Sequence, residues 1–156
     1  MIVVRPATAD DIDELLRLTE ELDRFYGGTD LDPVEFRRQQ VHEALFGDMP
    51  AAQVLLALEG ETVVAFASYS YLWPAVGLTR SLYLKELYVS QAMSRRGAGR
   101  ALMESLLETA RKNGCSRVEW TTDVHNSASS TRCGLASLCA PINHRSAAVM
   151  VDRCSR

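Results

Sequence analysis

The chain has 156 residues, 47% hydrophobic and 24% charged, with a formal net charge of −3, a profile that suits one globular domain with a real core. That charge balance gives no support to general nucleic-acid binding, and no apolar run approaches the ~20 residues a membrane helix needs. Met1-Ile2-Val3-Val4-Arg5-Pro6 lacks the basic stretch and longer apolar run of a signal peptide, so a cytoplasmic protein without membrane or nucleic-acid partners is expected.

Ile2 to Val4 reads as a short edge strand closed by Arg5-Pro6. Thr8 and Asp11 have capping-box spacing, with Asp in place of the usual Glu. Ile12, Leu15, Leu16, Leu18 and Leu22 then fall on one helical stripe, which predicts a helix over 9–25. Gly27-Gly28 ends it. Asp32-Pro33-x-Glu35 supplies an N-cap, a proline at the first helical position and a reciprocal Glu, so a second helix is expected over 33–46.

From residue 53 the period changes. Residues 53–58 and 62–71 read as strands joined by the Glu59-Gly60-Glu61 turn. Trp73-Pro74 breaks the second, and a loop follows. Residues 81–89 (SLYLKELYV) form the next strand, apolar enough outside Lys85 and Glu86 to be central in a sheet. Ala98, Leu102, Leu106 and Ala110, with Met103 and Leu107 beside them, define a helix over 98–113, stopped by Asn113-Gly114. A strand follows over 117–122. The order β-α-α-β-β-β-α-β, without repeat or linker, is a mixed α/β domain.

Cys115, Cys133, Cys139 and Cys154 form no CxxC pair and alternate with no His at metal-ligand spacing. Reduced thiols and no metal are expected. Charge is unevenly placed: residues 8–35 are rich in Asp and Glu, whereas Arg95, Arg96 and Arg100 form a compact basic patch. These are either solvated faces or sites for a cationic amine and an anion.

The chemistry is concentrated in strand 81–89, the loop Ser94-Arg95-Arg96-Gly97-Ala98-Gly99-Arg100, and the helix after it. The first N–H groups of a helix have no intrahelical partners and carry partial positive charge, so they form an anion site. Gly97 and Gly99 let a phosphate approach the backbone, and the arginines add charge. A pyrophosphate fits this combination, although a tight strand-to-helix turn explains the glycines equally well. The third glycine of a dinucleotide fingerprint is absent, and so is the Gly-Lys-Ser/Thr of a Walker A loop.

The run Leu84-Lys85-Glu86-Leu87-Tyr88-Val89, followed after five residues by Arg95-Arg96-Gly97-Ala98-Gly99-Arg100-Ala101-Leu102, resembles the acetyl-CoA motif of GNAT N-acetyltransferases, whose signature is Q/R-x-x-G-x-G/A. Gly97 and Gly99 match, while Ser94 stands at the Q/R position. The resemblance covers about residues 2–126. Within the superfamily VRPATADD, Phe25-Tyr26, SYLWP and YLKELYV look most like the diamine and polyamine acetyltransferase branch. It implies a mostly antiparallel central sheet flanked by helices, acetyl-CoA as cosubstrate and a small amine as acceptor.

By that resemblance the backbone of Leu87, Tyr88 and Val89 pairs with the pantetheine arm, Arg95, Arg96, Gly97, Ala98, Gly99, Arg100 and Ala101 hold the pyrophosphate, and Asn126 binds near the thioester. An ammonium with a pKa of about 10 has no lone pair to attack with, so the reaction calls for a general base. Glu86 is the candidate, although a strand Glu paired with Lys85 or an arginine is the plainer alternative; the polyamine branch has two adjacent acids where this chain has Lys85 and Glu86. Phe25, Tyr26 and Asp30 are expected beside the acceptor amine, with Asp123 as a further carboxylate and His125 as an alternative base.

The family's general acid is a Tyr seven residues after the Asn; here that position is Cys133, and no Tyr or Phe follows Tyr88. Residues 127–156 hold three Cys, four Arg and one acid, a net of +3, against −6 for residues 1–126. The expectation is a single domain whose segment 127–156 departs from the family, through a shifted reading frame. If that segment does not supply the last strand, a partner subunit in a homodimer is expected to cover the sheet edge. The alternatives to amine acetylation are a non-catalytic acyl-CoA-binding module and a protein or peptide N-acetyltransferase.

Overall fold

The computed structural model describes residues 1–121, 139–143 and 146–150. In chain order it contains β1 (Ile2–Pro6), α1 (Ile12–Phe25), α2 (Val34–Phe46), β2 (Gln53–Glu59), β3 (Thr62–Leu72), β4 (Arg80–Val89), α3 (Ala98–Lys112), β5 (Cys115–Thr121), β6 (Cys139–Asn143) and β7 (Ser146–Met150). The strands form one sheet in the order β1-β2-β3-β4-β5-β7-β6. Every neighbouring pair is antiparallel except β4 and β5. As its apolar sequence implied, β4 is the central strand.

Side-chain alternation along the strands divides the core into two layers. Leu55 and Ala57 on β2 pack with Leu102, Leu106 and Ala110 of α3 on one face. Val54 and Leu56, one residue out of phase, pack with Leu15 and Leu18 of α1 on the other. The α3 row is fully buried, with Leu102 and Leu106 at 0% exposure.

The Thr8–Asp11 pattern opens a 3-10 turn at Ala9–Asp11 that leads into α1. The Asp11 carboxylate accepts the Thr8 backbone N–H at 2.8 Å and the Thr8 hydroxyl at 3.0 Å. Both ends of the Arg5 guanidinium donate to it at 2.7 Å, which fastens β1 to the helix start.

The second cap differs from its sequence reading. Pro33 has ψ 140, outside the helical range, so α2 begins one residue later at Val34. The Asp32 carbonyl accepts from Arg37 Nε at 3.0 Å, and Glu35 faces Arg38 at 3.6 Å rather than turning back as a cap. No residue of α2 is fully buried. Ion pairs from Arg38 to Asp13 (2.5 Å) and from Arg37 to Glu20 (3.5 Å) hold it against α1, with Val41 and Leu45 reaching the core.

Beyond β5 the sheet continues into residues 139–143 and 146–150. β7 pairs with β5 from Arg117↔Met150 to Thr121↔Ser146, and β6 pairs with β7. The atypical segment therefore does supply the last strands, and β5 is paired with β7 rather than left as an edge for a partner subunit to cover.

Candidate active site

The site is built on the end of β4. Its ladder with β3 slips by one residue: Tyr69 lies opposite Leu84 and Ser68 opposite Glu86, leaving Lys85 as the extra residue of a bulge. The bulge reverses the facing of the strand. Leu82 and Leu84 pack toward α3 before it, and Leu87 and Val89 do so after it. Tyr88 is thereby turned to the α1 face, where it packs with Leu15, Leu18 and Phe66. Glu86, two residues before Tyr88, shares that face.

On its other side β4 parts from β5. The parallel pairing runs from Arg80↔Cys115 to Leu84↔Trp120 and stops there, although β4 continues to Val89. Residues 85–89 thus have backbone groups turned toward a wedge between the two strands. Such a row of polar groups requires a hydrogen-bonding partner. Glu86 is half-buried beside the wedge. Burial pushes its carboxyl above the ordinary carboxylate value, against the opposing effects of Lys85 and the Leu87 N–H. A raised value makes it a stronger proton acceptor near neutral pH.

The loop that follows leads directly into α3. Gly97 caps the helix with φ 88 and ψ 0, a left-handed conformation that favours glycine. A Cβ there would meet no atom within 4 Å, so the space beside the helix start is open. The Ala101 N–H closes onto the Gly97 carbonyl at 3.0 Å. The N–H groups of Ala98, Gly99 and Arg100 precede it at the unpaired end of the helix. Arg95 also has a positive φ, 68, which holds the loop in a tight turn. These features fit a pyrophosphate.

The three arginines do not act as one patch. Arg96 pairs with Glu59 at 3.1 Å, and Arg100 lies along α3 with its Nε on Glu104 at 2.8 Å. Arg95 makes no ion pair among the described residues. Arg96 and Arg100 are therefore each engaged by an acid of this chain, while among the described residues Arg95 is not. Arg100 sits within the first turn of the helix, where i,i+4 geometry favours its own Glu104.

Phe25 and Tyr26 end α1 as an edge-to-face pair with ring centroids 5.4 Å apart, both largely exposed. Asp30 is exposed in the loop after them. Asp123, His125, Asn126 and Cys133 lie outside the described residues.

Sequence reasoning missed the bulge at Lys85 and the contacts between α1 and the segment after β4. The Glu21 carboxylate accepts the Gln91 N–H at 2.9 Å and the Ser90 hydroxyl at 3.1 Å. Nothing in the sequence marks Glu21 among the other acids of α1, since the contact spans about 70 residues of chain.

A central strand that parts from its parallel neighbour, followed by a glycine-capped helix start, is the arrangement the described residues present. The chain belongs to the Acetyltransferase (GNAT) family, whose profile matches residues 15–133. It is 29% identical over 133 residues to the human Spermidine/spermine N(1)-acetyltransferase-like protein 1. That alignment covers 81% of this chain but 19% of the human protein, so this chain spans about a fifth of that relative's length. An integron cassette protein from the mobile metagenome of V. cholerae superposes with a TM-score of 0.71 at 25% identity, covering 91% of this chain and 86% of that one. A probable acetyltransferase shares the fold with a TM-score of 0.76 at 22% identity, over 90% of this chain and 91% of that one. The two early helices, the strand order and the mostly antiparallel sheet are those of the family.

Proposed function

We propose that this chain moves an acetyl group from acetyl-CoA to a primary amine, a small polyamine-like or amino-acid-like acceptor, by direct transfer in a ternary complex. The observation that carries the reading is the wedge between β4 and β5 beside the Gly97 helix start. The wedge offers extended backbone to a pantetheine arm, and the helix start offers N–H groups to a pyrophosphate. In this reading the backbone of Leu87, Tyr88 and Val89 lines the arm, and residues 95–101 hold the phosphates. Asn126 contacts the arm near the thioester.

Glu86 then takes the proton of the acceptor ammonium. The freed lone pair attacks the thioester carbonyl, the new C–N bond forms, and the C–S bond breaks as the second nitrogen proton passes to the departing thiolate, giving the amide and free CoA thiol. Phe25, Tyr26 and Asp30 provide aromatic faces and negative charge suited to a cationic amine, and Asp123 adds a carboxylate. The similarity to the human spermidine/spermine-like relative supports an amine of that class as acceptor.

The test is acetyl-CoA-dependent release of free thiol over diamines, polyamines, lysine analogues and short peptides, with acetyl-CoA binding measured by calorimetry. Turnover with one amine class, lost in Glu86→Gln, supports the enzyme and its base. Turnover confined to peptides replaces the small acceptor with a protein N-terminus or lysine. A second reading, an acyl-CoA-binding module without turnover, is favoured by Cys133 at the position of the family's Tyr acid. Tight cofactor binding with no turnover on any amine would select it.

A further inference from the structure

Glu21 lies one turn before the end of α1, the end that carries Phe25 and Tyr26. Its Oε1 accepts two hydrogen bonds from the segment that leaves β4: the Gln91 backbone N–H at 2.9 Å and the Ser90 hydroxyl at 3.1 Å. Ser90 is itself fixed, being 7% exposed, with its N–H on the Val64 carbonyl at 2.9 Å. Burial opposes ionisation of Glu21, yet the Gln91 and Ser90 bonds, with the nearby Tyr88 hydroxyl and the Arg17 guanidinium, outweigh it and keep the carboxyl below its ordinary value. The group is therefore a fixed anion at neutral pH, and bonds to a charged acceptor are the strong ones.

The rest of the segment is held locally. Met93 N–H bonds the Ser90 carbonyl at 3.0 Å and Ser94 N–H the Gln91 carbonyl at 3.4 Å, both within the turn. At its far end Arg96 pairs with Glu59. Glu21 thus relates the near end of the loop to α1, while β4 relates it to Glu86.

We infer that Glu21 is a positioning residue, whose carboxylate sets the 90–97 loop for the cofactor and couples that loop to the acceptor end of α1. The inference rests on the acetyl-CoA reading above. It makes the acceptor helix and the cofactor loop move as one unit, so that disturbing a single carboxylate weakens both ligands.

The experiment compares the acetyl-CoA affinity of the wild-type chain, Glu21→Ala, Glu21→Gln, Ser90→Ala and the Glu21→Ala/Ser90→Ala pair, with melting temperature measured in parallel. Glu21→Ala is expected to bind acetyl-CoA roughly tenfold more weakly, as loss of charge-assisted hydrogen bonds implies. Glu21→Gln, which keeps an acceptor oxygen but loses the charge, recovers only part of that loss. Ser90→Ala loses about two- to threefold, and the double variant is no weaker than Glu21→Ala, because both changes break one linkage. The acceptor KM rises along with the cofactor Kd, while kcat at saturation falls less. Wild-type affinity in Glu21→Ala, accompanied by a lower melting temperature, reduces Glu21 to a structural contact and overturns the proposal. Should Glu21→Ala not fold, wild-type affinity in both Glu21→Gln and Ser90→Ala overturns it equally. A wild-type chain that binds no acetyl-CoA defeats the cofactor reading first, which separates that failure from this one.

Discussion

Leu84 and Leu87 pack against the same hydrophobic cluster although three positions separate them on one strand. An uninterrupted strand would turn them to opposite faces, so the bulge at Lys85 is what reconciles them. Without it Glu86 would face α3 and the core. With it Glu86 shares the α1 face with Tyr88 and borders the wedge. The position of the candidate base thus depends on one extra residue.

Glu86→Gln is expected to lower kcat about a hundredfold, the usual contribution of a general base, with little change in acetyl-CoA affinity. The pH profile supplies the sharper check. The carboxylate works only when deprotonated, so kcat/KM falls as pH drops through its pKa. Burial raises that pKa, which places the acidic limb above the ordinary carboxylate range. The limb should disappear in Glu86→Gln; a limb that persists there belongs to another group.

Asp11→Ala tests the tie between β1 and α1. Removing a buried cap that accepts from Thr8 and Arg5 costs about 2 kcal/mol, with the Arg5 part discounted because that side chain is 40% exposed. For a chain of this size that is roughly 4–8 °C in Tm. The Arg5 hydrogen bonds above all, with the Thr8 bonds, hold the Asp11 carboxyl far below the ordinary carboxylate range despite the opposing effect of burial. A depressed folded pKa stabilises the chain above the unfolded value of about 4 and loses that contribution as pH falls toward the folded one. The gap between wild type and variant should therefore be full at pH 7 and close progressively below about pH 4.

The stripes that declare α1 and α3 in the sequence are the residues buried in the structure, Leu22 only partly, because a helix with one apolar face has one way to bury it. The strands were legible for the same reason, and the apolar run 81–89 placed β4 in the middle. The bulge was not legible: Lys85-Glu86 reads equally well as two ordinary positions, and only the register against Tyr69 and Ser68 exposes the extra residue. The cap of α2 was placed one residue early, since Asp-x-x-Glu spacing does not reveal that Pro33 stays extended. Residues 139–143 and 146–150 form two strands despite a composition that had suggested a missing sheet edge. Backbone pairing alone can extend a sheet from β5, and composition is a poor guide to that. The Glu21 linkage joins residues about 70 positions apart, beyond the reach of any local pattern.

Gly97 and Gly99 look equivalent in the motif but should respond differently to alanine. At Gly97 the obstacle is backbone: φ 88 is costly for a residue with a Cβ, by about 1–2 kcal/mol. At Gly99 no positive φ is required, and a Cβ would stand 3.6 Å from Val89 Cγ2 and 3.7 Å from Leu87 Cδ2, ordinary contact distances. Gly97→Ala is expected to lower Tm by a few degrees and to weaken acetyl-CoA binding, because relief of the strain moves the helix start. Gly99→Ala should leave both close to wild type. Calorimetry and thermal melts on the two variants check this, and equal losses would place the requirement in steric access to the loop instead.

Phe25 and Tyr26 are 63% and 72% exposed, so they add little to the core, and their edge-to-face pairing leaves ring faces open to solvent. A cation over an exposed aromatic face gains about 0.5–1 kcal/mol. Phe25→Ala and Tyr26→Ala are each expected to raise KM for a cationic acceptor about two- to fivefold. Tm and acetyl-CoA affinity should stay unchanged, since neither ring touches the 90–97 linkage made by Glu21. The effect should also depend on the acceptor's charge: a polyamine loses more than a monoamine, because each added ammonium has a face or a carboxylate such as Asp30 to meet. Steady-state kinetics over a series of mono-, di- and polyamines measures this directly. Equal KM values in wild type and variants across the series would move the acceptor site away from the end of α1.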